Sequence, residues 1–344
     1  MMHRFRWRVS AGHEVLAYIS GVKLRDFYMD PRACAHAFRE GRRKLKGIFG
    51  EDLRLPRISV PALSYGHISC LGAEIVFPAD TAPVPQPVYS SIEEGIRSLC
   101  KKRDFSECRL FKHYLRVYRY LKSEFPEENV SLYGFGYEGP ITSALLLRGP
   151  GFLTDIYRKP RLVKTFLGML TDNIVSYVHF IRGLMGDPEI DPRSGSLCDD
   201  CASYIPPRMW DELVIPYWNQ YYESITKGRR RIHVENLSPQ HLKYLEKAKI
   251  DFYDPSMSPK LTPGLIRKMI NIPFSWRLLS FEYPHMSVDD VRKWVHNSYR
   301  EGAHEVYTVV NYLMCKGDNP AKVKAFIKAC KEIEASAHRS IIGL

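Results

Sequence analysis

The 344-residue sequence predicts an α/β protein, a single (β/α)8 TIM barrel with helical and loop additions at its N-terminus. Three observations predict this fold class. The C-terminal half alternates between strand and helix patterns, which favours a parallel α/β fold. The chain has no dinucleotide-binding glycine fingerprint, which favours a closed barrel over an open Rossmann sheet. Barrels of this kind also reach this length as one domain.

Four strand–helix units follow one another in the C-terminal half. The predicted strands are Arg230–Glu235, Ile250–Tyr253, Trp276–Phe281 and Val306–Leu313. Helix starts are marked by Ser238-Pro239, Thr262-Pro263 and Ser287, because Ser and Thr favour the N-cap and proline the first helical position. The last helix begins near Pro320. This order of elements is typical of consecutive βα units.

Upstream, the patterns continue with less regularity. Val130–Gly134 reads as a strand that enters a glycine-rich turn, and Ile141–Leu147 as the helix after it. Gly195–Cys198 is a further predicted strand. The apolar stretch Leu162–Met185 is interrupted by charged residues, so it predicts a buried amphipathic helix rather than a membrane span.

The N-terminal portion is separated from the rest by a proline-rich stretch, Phe77–Val88. Its prolines can neither continue a helix nor donate to a sheet, so we expect an extended loop. We interpret residues 1–90 as partly a cap and N-terminal extension, and residues 1–344 as one barrel domain.

Composition narrows the class of protein. The hydrophobic content of 45% is sufficient for one large core, and the N-terminus lacks the layout of a signal peptide. The eight cysteines are scattered, which favours reduced thiols or ligands over disulfides. We therefore expect a soluble, cytoplasmic protein that does not associate with membranes.

The net charge of +12 raises nucleic-acid binding as a hypothesis. The positive residues are spread along the chain, however, and no recognition helix or stacking motif is found among them. The same charge could steer an anionic substrate or an acidic partner protein to the surface. We rank these two above nucleic acid.

The most informative local pattern is His233-Val-Glu235. Side chains two positions apart on a strand point to the same face, and at the end of a barrel strand they would project over the mouth where barrel enzymes keep their sites. Imidazole and carboxylate are good zinc ligands, and Cys315 is the best placed candidate for a third. A solvated pair on a strand is the competing interpretation. The zinc set also requires the loop after the last strand to lean inward, because strands five and eight are not neighbours.

Cys198-Asp-Asp-Cys201 has the spacing of half a zinc site or of a redox pair. No second C-x-x-C exists, so we expect Cys198 and Cys201 to form neither a disulfide nor zinc ligands. Asp199 and Asp200 follow a predicted strand, and we assign them as candidate catalytic residues that orient substrate or support a metal-bound histidine. Helix capping by an aspartate is the alternative.

Four further residues, Tyr65, His67, Tyr137 and Glu138, fall in loops that could roof the pocket. We assign them to substrate binding. The chain has 21 tyrosines, most of which we expect to pack as amphipathic side chains, so a structural role is the competing interpretation for Tyr65 and Tyr137.

Four segments together resemble the uroporphyrinogen decarboxylase superfamily. They are Val130–Ala144, Asp199–Tyr217, Ile232–Asn236 and Val309–Ala329. Ile232–Asn236 lies where the corrinoid-linked methyltransferase branch carries a His-x-Cys zinc motif, and Cys315 is similar to that branch's last zinc cysteine. The likeness covers residues 50 to 335 in order.

Two departures from the family decide which activity the resemblance implies. The decarboxylases carry a catalytic aspartate in an early strand and N-terminal arginines for the substrate's carboxylates, whereas residues 58–66 here contain no aspartate and the arginine motif is missing. Glu235 replaces the cysteine of thiol-activating methyltransferases, which makes a zinc site harder and favours an oxygen- or nitrogen-linked methyl donor.

The resemblance therefore implies a zinc-dependent methyltransferase that demethylates an O- or N-methyl substrate, such as a methoxyaromatic. The methyl group would pass to the cob(I)alamin of a separate corrinoid protein. Alternatives are a methylcorrinoid:thiol methyltransferase, a decarboxylase-like lyase that uses Asp199 or Asp200, and a basic nucleic-acid or adaptor protein built on a barrel scaffold. Whether the chain forms a homodimer is left open.

Overall fold

Parallel strands arranged in a ring form the centre of the molecule. The computed structural model describes residues 5–342, and side chains as far as residue 336. The strands of the ring are β1 (Arg6–Ala11), β4 (Ser194–Cys198), β5 (Arg229–His233), β6 (Phe252–Asp254), β7 (Ser275–Leu278) and β8 (Glu305–Val310). The strands β2 (Ile75–Val76) and β3 (Val84–Pro85) form a separate antiparallel pair. The first four and the last two residues of the predicted domain 1–344 lie outside the described residues.

The ring closes because the first strand pairs with the last. β1 lies parallel to β8 along its whole length, from Arg6 opposite Glu305 to Ala11 opposite Val310, and β8 in turn lies parallel to β7. β4, β5 and β6 pair in parallel in that order, and Tyr253 links β6 to the segment before β7 through a bridge to Phe274.

Two extended segments complete the circle between β1 and β4. Ser10 of β1 bridges to Arg54, and Ser59 bridges to Ser131, each in parallel. The Gly139 amide then donates a hydrogen bond to the Cys198 carbonyl oxygen of β4 at 2.6 Å. These contacts confirm the predicted barrel, in which short bridged segments rather than regular strands occupy the second and third strand positions.

Helices surround the ring, and several of them begin at residues that satisfy or remove free amide groups. Those of the N-terminal half are α1 (His13–Ser20), α2 (Leu24–Met29), α3 (Pro31–Phe49), α4 (Gly66–Cys70), α5 (Ile92–Leu99), α6 (Arg109–Glu124), α7 (Pro140–Arg148), α8 (Gly151–Arg158) and α9 (Pro160–Met185). The others are α10 (Trp210–Leu213), α11 (Ile215–Ile225), α12 (Leu242–Lys247), α13 (Pro263–Met269), α14 (Val288–Arg300) and α15 (Asn319–Ile342). The predicted starts at Thr262-Pro263 and Ser287 are confirmed, since both hydroxyls accept amide hydrogen bonds from the first turn.

The predicted strand ends differ from the observed ones at two positions that matter for the site. β5 ends at His233, so Glu235 lies in the loop beyond it. β8 ends at Val310, because the Asn311 side chain accepts hydrogen bonds from the amides of Leu313 and Met314 and thereby starts a 3-10 turn. Strand periodicity does not detect such local competition between a side chain and the backbone ladder.

The first 90 residues contribute more than additions to the barrel. They contain β1 and the bridged segment that includes Arg54 and Ser59, as well as α1 to α4. The proline-rich stretch Phe77–Val88 is an irregular loop that contains β3, and β3 pairs antiparallel with β2, which lies just before the stretch.

The helix predicted at Leu162–Met185 is α9, which buries Phe166, Leu170 and Ile174 against the barrel. None of the helices in residues 5–342 combines the length and hydrophobicity of a membrane-spanning segment.

Candidate metal centre at the mouth of the barrel

Three potential metal ligands meet at the carboxyl ends of β4 and β5. They are the thiol of Cys198, a carboxylate oxygen of Asp200 and an imidazole nitrogen of His233, and their donor atoms all lie within 4.8 Å of one another. Cys198 and His233 are the last residues of adjacent parallel strands and stand opposite each other in register. Among the described side chains, this is the one group of three or more that could hold a metal ion in this way.

His233 is held in one orientation by Asp254, the last residue of β6. The Nδ1 atom of His233 lies 3.1 Å from Oδ2 of Asp254, whose carboxylate also accepts hydrogen bonds from the Tyr307 hydroxyl at 2.9 Å and the Ser256 amide at 3.1 Å. A carboxylate on one imidazole nitrogen fixes the tautomer that leaves the other nitrogen free to bind a metal. The free Nε2 atom faces the mouth.

Burial and mutual contact shift the pKa values of both His233 and Asp254. Burial lowers the pKa of His233, but the hydrogen bond and charge of Asp254 raise it by more, so the pKa lies above its usual value. Burial likewise raises the pKa of Asp254, and the contacts with His233 and Tyr307 outweigh it, so that this carboxylate stays ionised more readily than usual.

Two further carboxylates approach the free face of His233. Nε2 lies 3.6 Å from Oδ1 of Asp200 and 3.8 Å from Oε1 of Glu235. The Glu235 amide donates to the same oxygen of Asp200 at 3.0 Å, which ties the loop after β5 to the turn after β4. Burial raises the pKa of Asp200, although the nearby charge of His233 acts in the opposite direction. The arrangement brings together His233 and Glu235, as predicted from their spacing.

Glu138 adds a buried carboxyl group beside this cluster. It is only 8% exposed, and its Oε2 atom has no hydrogen-bond partner among the described residues. Burial and the charge of Asp200 raise its pKa to about 8. Glu138 also contacts the Cys198 thiol, whose pKa is raised by burial and by the charges of Glu138 and Asp200. A bound cation would reverse each of these penalties, because a nearby positive charge favours the ionised forms.

The two neighbouring aspartates have different surroundings. Asp199 is fully buried and accepts hydrogen bonds from the amides of Thr142 at 2.7 Å and Ile141 at 3.4 Å and from the Trp218 indole at 2.7 Å. It therefore caps the N-terminus of α7. Burial raises its pKa to about 6 even though these donors lower it. Asp200, in contrast, points into the mouth.

Cys315 lies apart from the cluster. It ends the 3-10 turn Leu313–Cys315, and its thiol donates to the Asn311 carbonyl oxygen at 3.5 Å. The group of donor atoms around His233 does not include it. Burial raises the pKa of Cys315 to about 11. Cys201 is a free thiol whose amide donates to the Thr142 hydroxyl at 3.0 Å.

Of the four predicted substrate-binding residues, two border the cluster of metal ligands and two lie elsewhere. Tyr65 is half-buried near Glu138, and burial together with that charge raises its pKa. The hydroxyl oxygens of Tyr137 and Tyr221 are 2.6 Å apart, and Tyr137 also lines a cavity of about 280 Å³ beside α9. His67 is fully buried in α4, where its Nε2 atom lies 2.9 Å from the Asn173 side-chain oxygen. Tyr65 and Glu138 thus border the cluster, and His67 lies in the core.

Sequence reasoning did not identify Asp254 as the partner of His233, and it set Cys198 aside as a ligand. The signal for both was available in part, since each residue ends a strand adjacent to β5. The parallel register, which places both ends level with His233, is a property of the assembled sheet.

Comparisons with known proteins agree with this architecture. A solved methyltransferase from Methanosarcina mazei superposes with a TM-score of 0.70 at 14% sequence identity, covering 97% of this chain and 95% of that one. A thiamine phosphate pyrophosphorylase from Pyrococcus furiosus aligns over 53% of this chain and 78% of its own at 12% identity, but its TM-score of 0.24 is too low to indicate a shared fold. No curated protein matches the sequence significantly.

The fold and the site define a class, the (β/α)8 barrels that carry a candidate metal centre at the carboxyl ends of their strands. The sequence pattern of the uroporphyrinogen decarboxylase family matches residues 5–261. The chain belongs to this family, as its four motif segments predict.

Proposed function

We propose that the chain is a zinc-dependent methyltransferase that moves a methyl group from an O- or N-methyl substrate to the cob(I)alamin of a corrinoid protein. The observation that carries the proposal is the donor group of Cys198, Asp200 and His233 at the barrel mouth. The structural likeness to a methyltransferase along nearly the whole chain supports methyl transfer as the class of reaction.

The residues present fit a zinc ion. Nitrogen, oxygen and sulfur donors are all zinc ligands, and Asp254 already holds His233 with Nε2 directed at the other donors. Glu235, whose carboxylate lies 3.8 Å from the same nitrogen, would serve as a fourth zinc ligand or replace Asp200 as the oxygen ligand. We propose Cys198 as the sulfur ligand in preference to Cys315, because the Cys198 thiol lies within the group.

A zinc ion bound there would supply a Lewis acid for the heteroatom that carries the methyl group. The chain's own residues would position the donor and exclude water. Tyr65 and Glu138 border the cluster, and the unpartnered Oε2 atom of Glu138 offers a hydrogen-bonding site to a substrate. One thiolate among oxygen and nitrogen ligands keeps the site harder than a two-thiolate site, which favours an oxygen- or nitrogen-linked donor.

The local charge argues against porphyrinogen decarboxylation. Three carboxyl groups surround the His233 ring, contributed by Asp200, Glu235 and Asp254, and Glu138 lies beside Asp200. A substrate that carries many carboxylates would be repelled by this cluster unless cations intervened. The same cluster attracts a metal ion. Transfer of a methyl group from methylcorrinoid to a thiol is the second candidate function, favoured by the presence of a sulfur donor in the group.

Elemental analysis of three samples tests the metal site. We expect about one zinc per native chain, loss of most zinc in Cys198→Ser, and unchanged zinc in the matched control Cys315→Ser. Loss in Cys315→Ser alone would instead support the set of His233, Glu235 and Cys315 predicted from the sequence. Absence of zinc from the native chain after growth with added zinc would contradict both.

The direction of transfer requires a second assay. The zinc-loaded protein is mixed with cob(I)alamin and a panel of methoxyaromatics and methylamines, and methylcobalamin is followed by absorbance. Formation from one donor supports the proposal. Formation from none of them, together with methylation of a thiol from methylcobalamin, would favour the thiol methyltransferase.

A further inference from the structure

A pair of cysteines remote from the metal centre joins two helices of the N-terminal half. Cys70 is the last residue of α4, and Cys108 is the N-cap of α6. The two thiols are hydrogen-bonded to each other, and the Ser69 hydroxyl lies 3.7 Å from the Cys108 sulfur. Both cysteines are free and partly buried, so no covalent bond joins the two thiols.

The surroundings distinguish the two sulfur atoms. Cys108 receives hydrogen bonds from Cys70 and from the amides of Leu110 and Phe111 in the first turn of α6, and these donors lower its pKa to about 6 against the effect of burial. A helix N-terminus favours a thiolate for the same reason. The hydrogen bond with Cys108 together with burial raises the pKa of Cys70. Because Cys108 stands at the N-terminus of α6, we assign it as the nucleophile and Cys70 as its partner.

We propose that Cys70 and Cys108 form a thiol–disulfide exchange site that reacts with low-molecular-weight disulfides such as oxidised glutathione. The Cys108 thiolate attacks one sulfur of the disulfide, which gives a mixed disulfide on Cys108 and releases one glutathione thiolate. The Cys70 thiol then loses its proton and attacks the Cys108 sulfur. This step forms the Cys70–Cys108 disulfide and releases the second glutathione, so oxidation of two protein thiols balances reduction of one glutathione disulfide.

The position of the pair gives the modification a structural consequence. α4 begins immediately after Tyr65, which borders Glu138 and Asp200 at the barrel mouth. A disulfide at the other end of this short helix would tie it covalently to α6. The site is independent of the proposed methyl transfer, since neither cysteine belongs to the metal centre.

Peptide mapping of the native protein tests the proposal. The reduced chain is incubated with oxidised glutathione at pH 7.5, quenched with N-ethylmaleimide and digested without reductant for mass spectrometry. We expect a linked peptide pair that contains Cys70 and Cys108. The exposed Cys100 provides a matched control, and Cys100→Ser should leave the linked pair unchanged.

Single variants test the order of the two steps. In Cys70→Ser, the mixed disulfide should accumulate on Cys108 because no resolving thiol remains. In Cys108→Ser, glutathione addition to Cys70 should be at least about tenfold slower than addition to Cys108 in Cys70→Ser, because the thiolate at the helix N-terminus is gone. In the native chain, iodoacetamide at pH 6.5 should label Cys108 before Cys70, which tests the assignment without any substitution. A native chain that acquires glutathione on Cys100 while Cys70 and Cys108 stay reduced would overturn the proposal, as would faster labelling of Cys70.

Discussion

Asp254→Asn removes the charge beside His233 while preserving the shape of the side chain. In the native protein, Oδ1 of Asp254 accepts from the Ser256 amide at 3.1 Å, and Oδ2 contacts His233 Nδ1 at 3.1 Å. The Tyr307 hydroxyl lies 2.9 Å from both carboxylate oxygens. The Ser256 amide can only donate, so the side-chain amide of the variant will keep its oxygen at the Oδ1 position. It then presents its NH2 group to Nδ1, so His233 must carry its proton on Nε2, the nitrogen that faces Asp200.

The size of the effect follows from the hydrogen bond that is lost. A hydrogen bond to a charged group contributes about 1.5–3 kcal/mol, which corresponds to about 10- to 100-fold in a binding constant. Replacing the hydrogen-bond partner of a metal-bound histidine lowers metal affinity by about the same factor. We expect the Kd for zinc to rise by about 10- to 100-fold, measured by competition with a chromophoric chelator at pH 7.5.

Tyr307→Phe is the matched control, because it removes a neutral donor and leaves the Asp254 carboxylate in contact with His233. Its effect should be about threefold, as for a hydrogen bond of about 0.7 kcal/mol. A zinc Kd for Asp254→Asn within threefold of the native value would refute the reasoning. Nitrogen chemical shifts of the His233 ring give a readout that needs no metal, since the variant should be protonated on Nε2 and the native ring, when neutral, on Nδ1.

Two further predictions separate site residues from core residues. Asp199→Ala should lower the free energy of unfolding by about 2–4 kcal/mol in urea denaturation, because the Thr142 amide and the Trp218 indole lose an acceptor at 2.7 Å. Asp200→Ala should change stability by less than about 1 kcal/mol and instead reduce zinc content, and equal losses of stability would contradict this assignment. Burial lowers the pKa of His67 to about 4, below its value of about 6.5 when unfolded, so the native chain should lose about 3 kcal/mol of stability as the pH falls through this interval. His67→Gln should lose correspondingly less, and parallel curves of unfolding free energy against pH would contradict a neutral, buried His67.

The barrel was predictable because its signals are local. A serine or threonine at the N-cap starts a helix by satisfying free amides, and this rule placed the starts of α13, at Thr262, and α14, at Ser287, within a residue. The proximity of His233 and Glu235 was predictable from their spacing near a strand end, although β5 ends at His233 and Glu235 lies in the loop beyond it. The segments at the second and third strand positions were harder to define, because only isolated bridges hold them in the ring.

The sequence by itself determined the family, the barrel and the histidine around which the candidate site is built. Only the tertiary structure decided which residues join that histidine. The register of parallel strands sets Cys198 and Asp254 level with His233, whereas Cys315 lies in the turn that Asn311 starts after β8 and is not part of the group of donor atoms. The choice between adjacent aspartates was also tertiary. The 3-10 turn after β4 breaks the strand alternation, so one carboxylate enters the end of α7 and the other faces the mouth. Donor types are written in the sequence, but their distances depend on strand register and on which backbone donors a side chain meets when the layers pack.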